Sequence, residues 1–182
     1  MKLKNGAPHV RKLTYAALCL ALALVLPFLT GQIPEIGSML CPMHIPALLC
    51  GFLCGAPWGL AVGLVAPIMR SLLTGGFPPM FPTAVAMAFE LAAYGFVSGF
   101  LYRRMPKKLS SAYTALICAM VCGRVVWGLI MALLMMNGNG FTFAAFLAGA
   151  FTNAIPGIIL QLLIIPPAVL ALRKVSFLPG EV

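Results

Sequence analysis

Charge is what this sequence has least of. Only 8% of its 182 residues are charged and 62% are hydrophobic, where an ordinary soluble domain carries about 25% charged and about 45–50% apolar residues. Acids are scarcest of all. Aspartate is absent, and the glutamates are Glu35, Glu90 and Glu181. So few carboxylates leave no pair for acid–base catalysis and no acidic cage for a metal. The mean hydropathy of +1.06 excludes the soluble and disordered classes. A net charge of +9 would suit a nucleic-acid partner, but ten of the twelve basic residues sit in three short clusters between or beyond long apolar runs. That distribution excludes nucleic acid and marks an all-α, polytopic membrane protein in a lipid bilayer.

A disulfide framework is lacking too. Cys19, Cys50, Cys54, Cys118 and Cys122 lie inside apolar runs, where cysteine acts as a small hydrophobe, and only Cys41 is near an aqueous boundary. Neither Cys50/Cys54 nor Cys118/Cys122 has redox-pair spacing. Their i,i+4 spacing puts each pair on one helix face and predicts packing rather than thiol chemistry. A cleaved signal peptide is not expected either. Lys2, Lys4, Arg11 and Lys12 precede the first apolar run, but no small-x-small cleavage site follows and five more apolar runs do.

A membrane-crossing helix needs about 20 apolar residues. Six spans are expected in a single transmembrane domain covering 1–182, at about 13–29, 43–56, 58–74, 83–102, 110–136 and 141–172. The stretch from Pro42 to Thr74 is too long for one span and divides at Gly55-Ala56-Pro57-Trp58-Gly59. Gly75-Gly76-Phe77-Pro78-Pro79-Met80-Phe81-Pro82 cannot stay helical. Pro156, Pro166 and Pro167 should kink or break the last span. Arg103, Arg104, Lys107 and Lys108 separate spans four and five, and Arg173 and Lys174 follow span six. With the N-terminal cluster these lie on one side, while the opposite connectors (31–41, 75–82 and 137–140) carry no Lys or Arg. Both termini should therefore be cytoplasmic.

Arg70, Glu90 and Arg124 remain at depth. Intramembrane charge costs at least about 2.5–3.5 kcal/mol per residue, so each should face the bundle interior or a water-filled cavity. Counted from the outer ends of their spans, Arg70 is about 6 Å down, Glu90 about 11 Å, and Arg124 and Asn153 about 18 Å. Glu90 can satisfy only one arginine well. Arg124 is its more natural partner by depth, leaving Arg70 to snorkel outward or to meet a ligand carboxylate. His44, Asn137, Asn139 and Asn153 are further candidate hydrogen-bonding groups. His44 has no second histidine at helical spacing with which to build a metal site, and neither Ser71 nor Ser98 has a histidine near enough to serve as a base. No catalytic residue, metal or cofactor is expected. In the first span, Ala17 and Ala21 form a small-xxx-small face that lets another helix approach closely.

These parts resemble the substrate-binding (S) component of an energy-coupling factor (ECF) vitamin transporter, in the broad group of pantothenate and cobalamin carriers. The most specific stretch is 42–95: Pro42-Met43-His44-Ile45-Pro46, Gly51-Phe52-Leu53-Cys54-Gly55, the Gly59-x3-Gly63 start of the third span, Leu73-Thr74-Gly75 followed by Pro78-Pro79, and Glu90-Leu91-Ala92-Ala93-Tyr94-Gly95. The resemblance implies a non-enzymatic subunit in a prokaryotic cell membrane that binds one vitamin or precursor from outside. Its partners would be a membrane-embedded T subunit and two ATPases, whose ATP hydrolysis topples it inward. It implies docking through Ala17 and Ala21, a lid at 31–41, and a mouth lined by 75–82 and 137–141. The aromatic side chains that grip flat heterocycles in thiamine- or riboflavin-type members are not evident, since Trp58 sits at a turn and Trp127 within the fifth span. That favours a flexible, polar, acidic vitamin such as pantothenate.

Two other classes compete. A stand-alone secondary carrier or channel for a small organic anion would need coupling-ion sites or a symmetric repeat, and neither is readable. An intramembrane thiol enzyme would need reactive cysteine pairs at an aqueous face.

Overall fold

The computed structural model describes residues 8–30, 42–135 and 154–174. They are all-α: α1 (Pro8–Val25), running on as a 3-10 turn (Leu26–Thr30), α2 (His44–Cys54), α3 (Ala56–Leu73), α4 (Val85–Arg104), α5 (Leu109–Leu134) and α6 (Ile155–Lys174). Five of these elements are long and apolar enough to cross a membrane. The protein is a polytopic membrane protein. The exception is α2, with 11 residues. At 1.5 Å per residue it spans about 16 Å, roughly half of a hydrocarbon core.

Local chemistry sets the breaks. Pro27 has no N–H to offer the Ala23 carbonyl, and the α ladder of α1 gives way to the 3-10 turn at that point. Between α2 and α3 the expected five-residue turn shrinks to one residue. Gly55 alone leaves the helix, at φ 98°, a conformation a side chain would strain. Pro57 falls in the first turn of α3, where its missing N–H costs nothing. Trp58 then packs beside Ala16, Cys19, Cys50, Cys54 and Val62. The Gly-Pro connector after α3 is non-helical until a single wide turn over Met80–Ala84, within which Phe81 is extended (φ −121°, ψ 133°).

Of the kink or break expected at Pro166-Pro167, the break does not occur. The last helix continues through both prolines from Ile155 to Lys174. Two lost donors free only the carbonyls one turn earlier, and an apolar membrane environment gives the chain no better alternative than helix. The segment 141–153 of the expected sixth span lies outside the described residues.

The centre of the bundle is glycine-lined. α4 packs against α2, α3 and α5; α6 packs on α5 and α2, and α1 on α2 and α3. Gly51, Gly59 and Gly95 meet main chain to main chain, Gly63 meets the Leu91 carbonyl, and Gly99 meets Ala56. A Cβ at any of them would overlap backbone. This is close packing through small residues, which drives helix association where lipid removes the hydrophobic incentive. At the basic end Arg103 Nη2 donates to the Cys54 carbonyl at 2.8 Å, capping α2. Leu18, Leu22, Ile117, Val121, Leu129, Ile159 and Leu163 point away from the bundle, as lipid-facing positions should.

The cysteines divide. Cys19, Cys50 and Cys54 are buried, as small packing residues would be, but Cys122 is exposed and Cys118 half-buried. Equal spacing puts both pairs on a helix face; it does not say that the face turns inward.

Candidate functional site

Glu90 sits in the second turn of α4 and Tyr94 one turn later on the same face. The Tyr94 hydroxyl donates to Glu90 Oε1 at 3.1 Å. Arg124 Nη1, from α5, lies 2.8 Å from that oxygen. His44 Nε2, at the first residue of α2, lies 3.5 Å from it. The His44 and Tyr94 rings meet edge to face at 5.2 Å. Gly123 makes room, since a Cβ there would run into the Tyr94 ring. Glu90 is 1% exposed and Arg124 8%. A buried carboxylate is tolerable on such terms: a short guanidinium contact, a phenol hydrogen bond and an adjacent imidazole. The arginine expected from depth is the one Glu90 meets.

Arg70 stands apart. Contact of Gly63 with the Leu91 carbonyl fixes the register of α3 against α4. Seven residues beyond Gly63, the Arg70 Cα lies about 9 Å nearer the Gly-Pro end than that of Glu90. Yet Arg70 is only 3% exposed, so it does not snorkel. Its Nη1 donates to the Leu24 carbonyl at 3.3 Å, and its guanidinium lies 5.4 Å from the Phe28 ring centre. Among the described residues no carboxylate is within ion-pair distance of it.

Of the sequence candidates, the structure brings His44, Glu90 and Arg124 together and holds Arg70 above them. Asn137, Asn139 and Asn153, the connector 31–41 and the loop 137–141 lie outside the described residues. Ala17 and Ala21 are both exposed, whereas Ala16, Cys19 and Ala23 carry the packing of α1. Among the described residues no group of His, Cys, Asp or Glu could hold a metal.

Three buried polar residues escaped the sequence reading as site members. Tyr94 was visible at i+4 from Glu90, the spacing at which side chains on a helix meet. Gln161 is the lone strongly polar residue of α6 before its basic end at Arg173 and Lys174, and Ser71 adjoins Arg70; each is 2% exposed.

A family model, that of the ECF transporter substrate-specific component, matches residues 11–169. The chain belongs to this family. No curated protein and no solved structure matches it. ECF S components are transport proteins rather than enzymes, and they work with T and ATPase subunits on a small-molecule substrate.

Proposed function

We propose that this S component binds a vitamin or vitamin precursor that carries a carboxylate or another anionic group, and that Arg70 is the partner of that group. One observation carries the reading. Glu90 is already engaged by Arg124 at 2.8 Å, while Arg70 is buried and, among the described residues, meets a carbonyl and an aromatic face but no carboxylate. A buried cation without a carboxylate favours an anion strongly, because little water competes for it. Arg70 also lies nearer the Gly-Pro end, where the charge asymmetry puts the outside. Pantothenate, an extended acid with hydroxyl and amide groups, suits this arrangement. His44, Asn137, Asn139 and Asn153 would supply hydrogen bonds, and the connector 31–41 would close over the ligand.

Ala17 and Ala21 would dock the subunit on the membrane-embedded T subunit, which two ATPases drive. Their exposure on α1 supports this, since the subunit's own packing does not use them. The setting is a prokaryotic cell membrane.

The test is thermal stabilisation of the purified protein by a panel of vitamins, followed by calorimetric titration. Tight binding raises apparent stability by RT ln(1 + [L]/Kd). Arg70→Ala should weaken binding by more than about 1.5–3 kcal/mol, the typical worth of a charge-assisted hydrogen bond, because the ligand anion would be left desolvated. Arg70→Lys should recover part of the loss, as an ammonium lacks the planar fork. A neutral or cationic ligand, or full affinity in Arg70→Ala, would contradict the reading.

A further inference from the structure

Gln161 has no structural reason to be where it is. It lies in the middle of the buried stripe of α6, between Ala154 and Gly157 on one side and Ile165 and Val169 on the other. That stripe faces inward, where α6 packs on α5 and α2; Ile159 and Leu163 face out. Gln161 is 2% exposed, and its Oε1 has no hydrogen-bond partner among the described residues. A buried amide oxygen left in this way costs stability that a leucine of similar size would not. Its depth nonetheless coincides with that of polar side chains on the neighbouring helices. The basic residues Lys108 and Arg173 mark the membrane boundary on α5 and α6. From there the Gln161 Cα is about 18 Å into the bundle and that of Arg124 about 24 Å. Helix side chains lean toward their own N-terminus. Arg124 therefore leans toward the basic end and Gln161 away from it, which brings both to about the same depth. His44, on the other helix that α6 touches, turns Nε2 toward Glu90 at 3.5 Å, and its Nδ1 has no hydrogen bond among the described residues.

We propose that Gln161 is a specificity-determining ligand contact, reading an uncharged group that both donates and accepts, as a secondary amide does, with His44 as the second partner of that group. In a trans secondary amide the N–H and the carbonyl point opposite ways: the Oε1 of Gln161 takes the ligand N–H, and His44, from the other side, donates to the ligand carbonyl. This rests on the anionic-vitamin reading and extends it. The anion occupies Arg70 near the Gly-Pro end, and the amide lies deeper, so the ligand is extended along the bundle axis. Discrimination of this kind is strong, because an analogue lacking the donor leaves a buried acceptor unmet.

The probes are pantothenate and its isostere with an ester in place of the amide, titrated into the full-length wild-type protein, Gln161→Leu and Arg70→Ala, with the ligand-free melting temperature of each. The wild type should prefer pantothenate over the ester by about tenfold or more. Gln161→Leu should bind the two within about two- to threefold of each other, with a ligand-free melting temperature no lower than wild type. Gln161→Met provides the same comparison if the leucine variant folds poorly. A structural glutamine would instead lower the melting temperature and leave the preference intact, and that result in both variants overturns the proposal. Loss of pantothenate binding in Arg70→Ala with an unchanged preference in Gln161→Leu sinks this inference alone. The converse sinks the anionic reading alone. Failure of pantothenate to bind the wild type overturns this inference and the choice of pantothenate, while the anionic reading stands or falls on the vitamin panel.

Discussion

The guanidinium of Arg70 donates to the carbonyl of Leu24 at 3.3 Å. The buried cation of α3 thus grips the last turn of α1, at the point where the α ladder gives way to the 3-10 turn. It serves as a cap for a helix end inside the membrane, where an unmet carbonyl is expensive. Arg70→Leu should therefore loosen Leu26–Thr30 in the ligand-free protein. Hydrogen exchange there should quicken by an amount corresponding to about 1–2 kcal/mol of local opening, with the core of α4 unchanged. Equal exchange in both proteins would show that the contact holds nothing.

Glu90 and Arg124 behave as a unit. Removing one partner strands the other charge in a site where both are nearly inaccessible to solvent. Glu90→Leu should destabilise the protein by about 3–5 kcal/mol, while Glu90→Leu combined with Arg124→Leu should cost much less. Denaturant titration of the single and double variants in detergent measures the difference. Additive losses would mean that the pair is not coupled.

Much of this architecture was legible in the chain. Long apolar runs gave the all-α membrane class, because the bilayer imposes a minimum apolar length on any helix that crosses it. The Glu90–Arg124 contact followed from depth counted along helices, since 1.5 Å per residue is a fixed ruler. What escaped depended on which way a helix face turns. Cys122 faces out although Cys54, with the same spacing, faces in. Pro166 and Pro167 read as a kink or a break and sit inside a continuous helix. Gln161 was passed over because one polar residue in an apolar run gives no partner by spacing; only the inward turn of its stripe gives it meaning.

Gly95 tests the close packing of the bundle centre. Its missing Cβ is what lets α4 lie against Gly59 and Gly51, main chain to main chain. Gly95→Val should cost about 3 kcal/mol or more, because backbone cannot shift as a flexible side chain can. Phe96→Leu, one residue on and 41% exposed, should cost little. Similar melting temperatures for the two variants would mean that the helices are looser than their contacts indicate.

The small face of α1 gives the last prediction. Ala17 and Ala21 are one turn apart and exposed, so bulk added there points away from the described bundle. Ala23, by contrast, is fully buried. Ala17→Trp and Ala21→Trp should therefore leave the melting temperature and substrate affinity of the isolated protein within experimental error. A partner helix drawn in close by small residues cannot accept an indole at the same distance. Uptake by the complete transporter, with its T and ATPase subunits, should be abolished in either variant, and co-purification of the T subunit should fall with it. Ala23→Trp should do the opposite, collapsing the stability of the isolated subunit before any question of docking arises. Normal ATP-driven uptake in both exposed variants would show that another face of the bundle makes the contact.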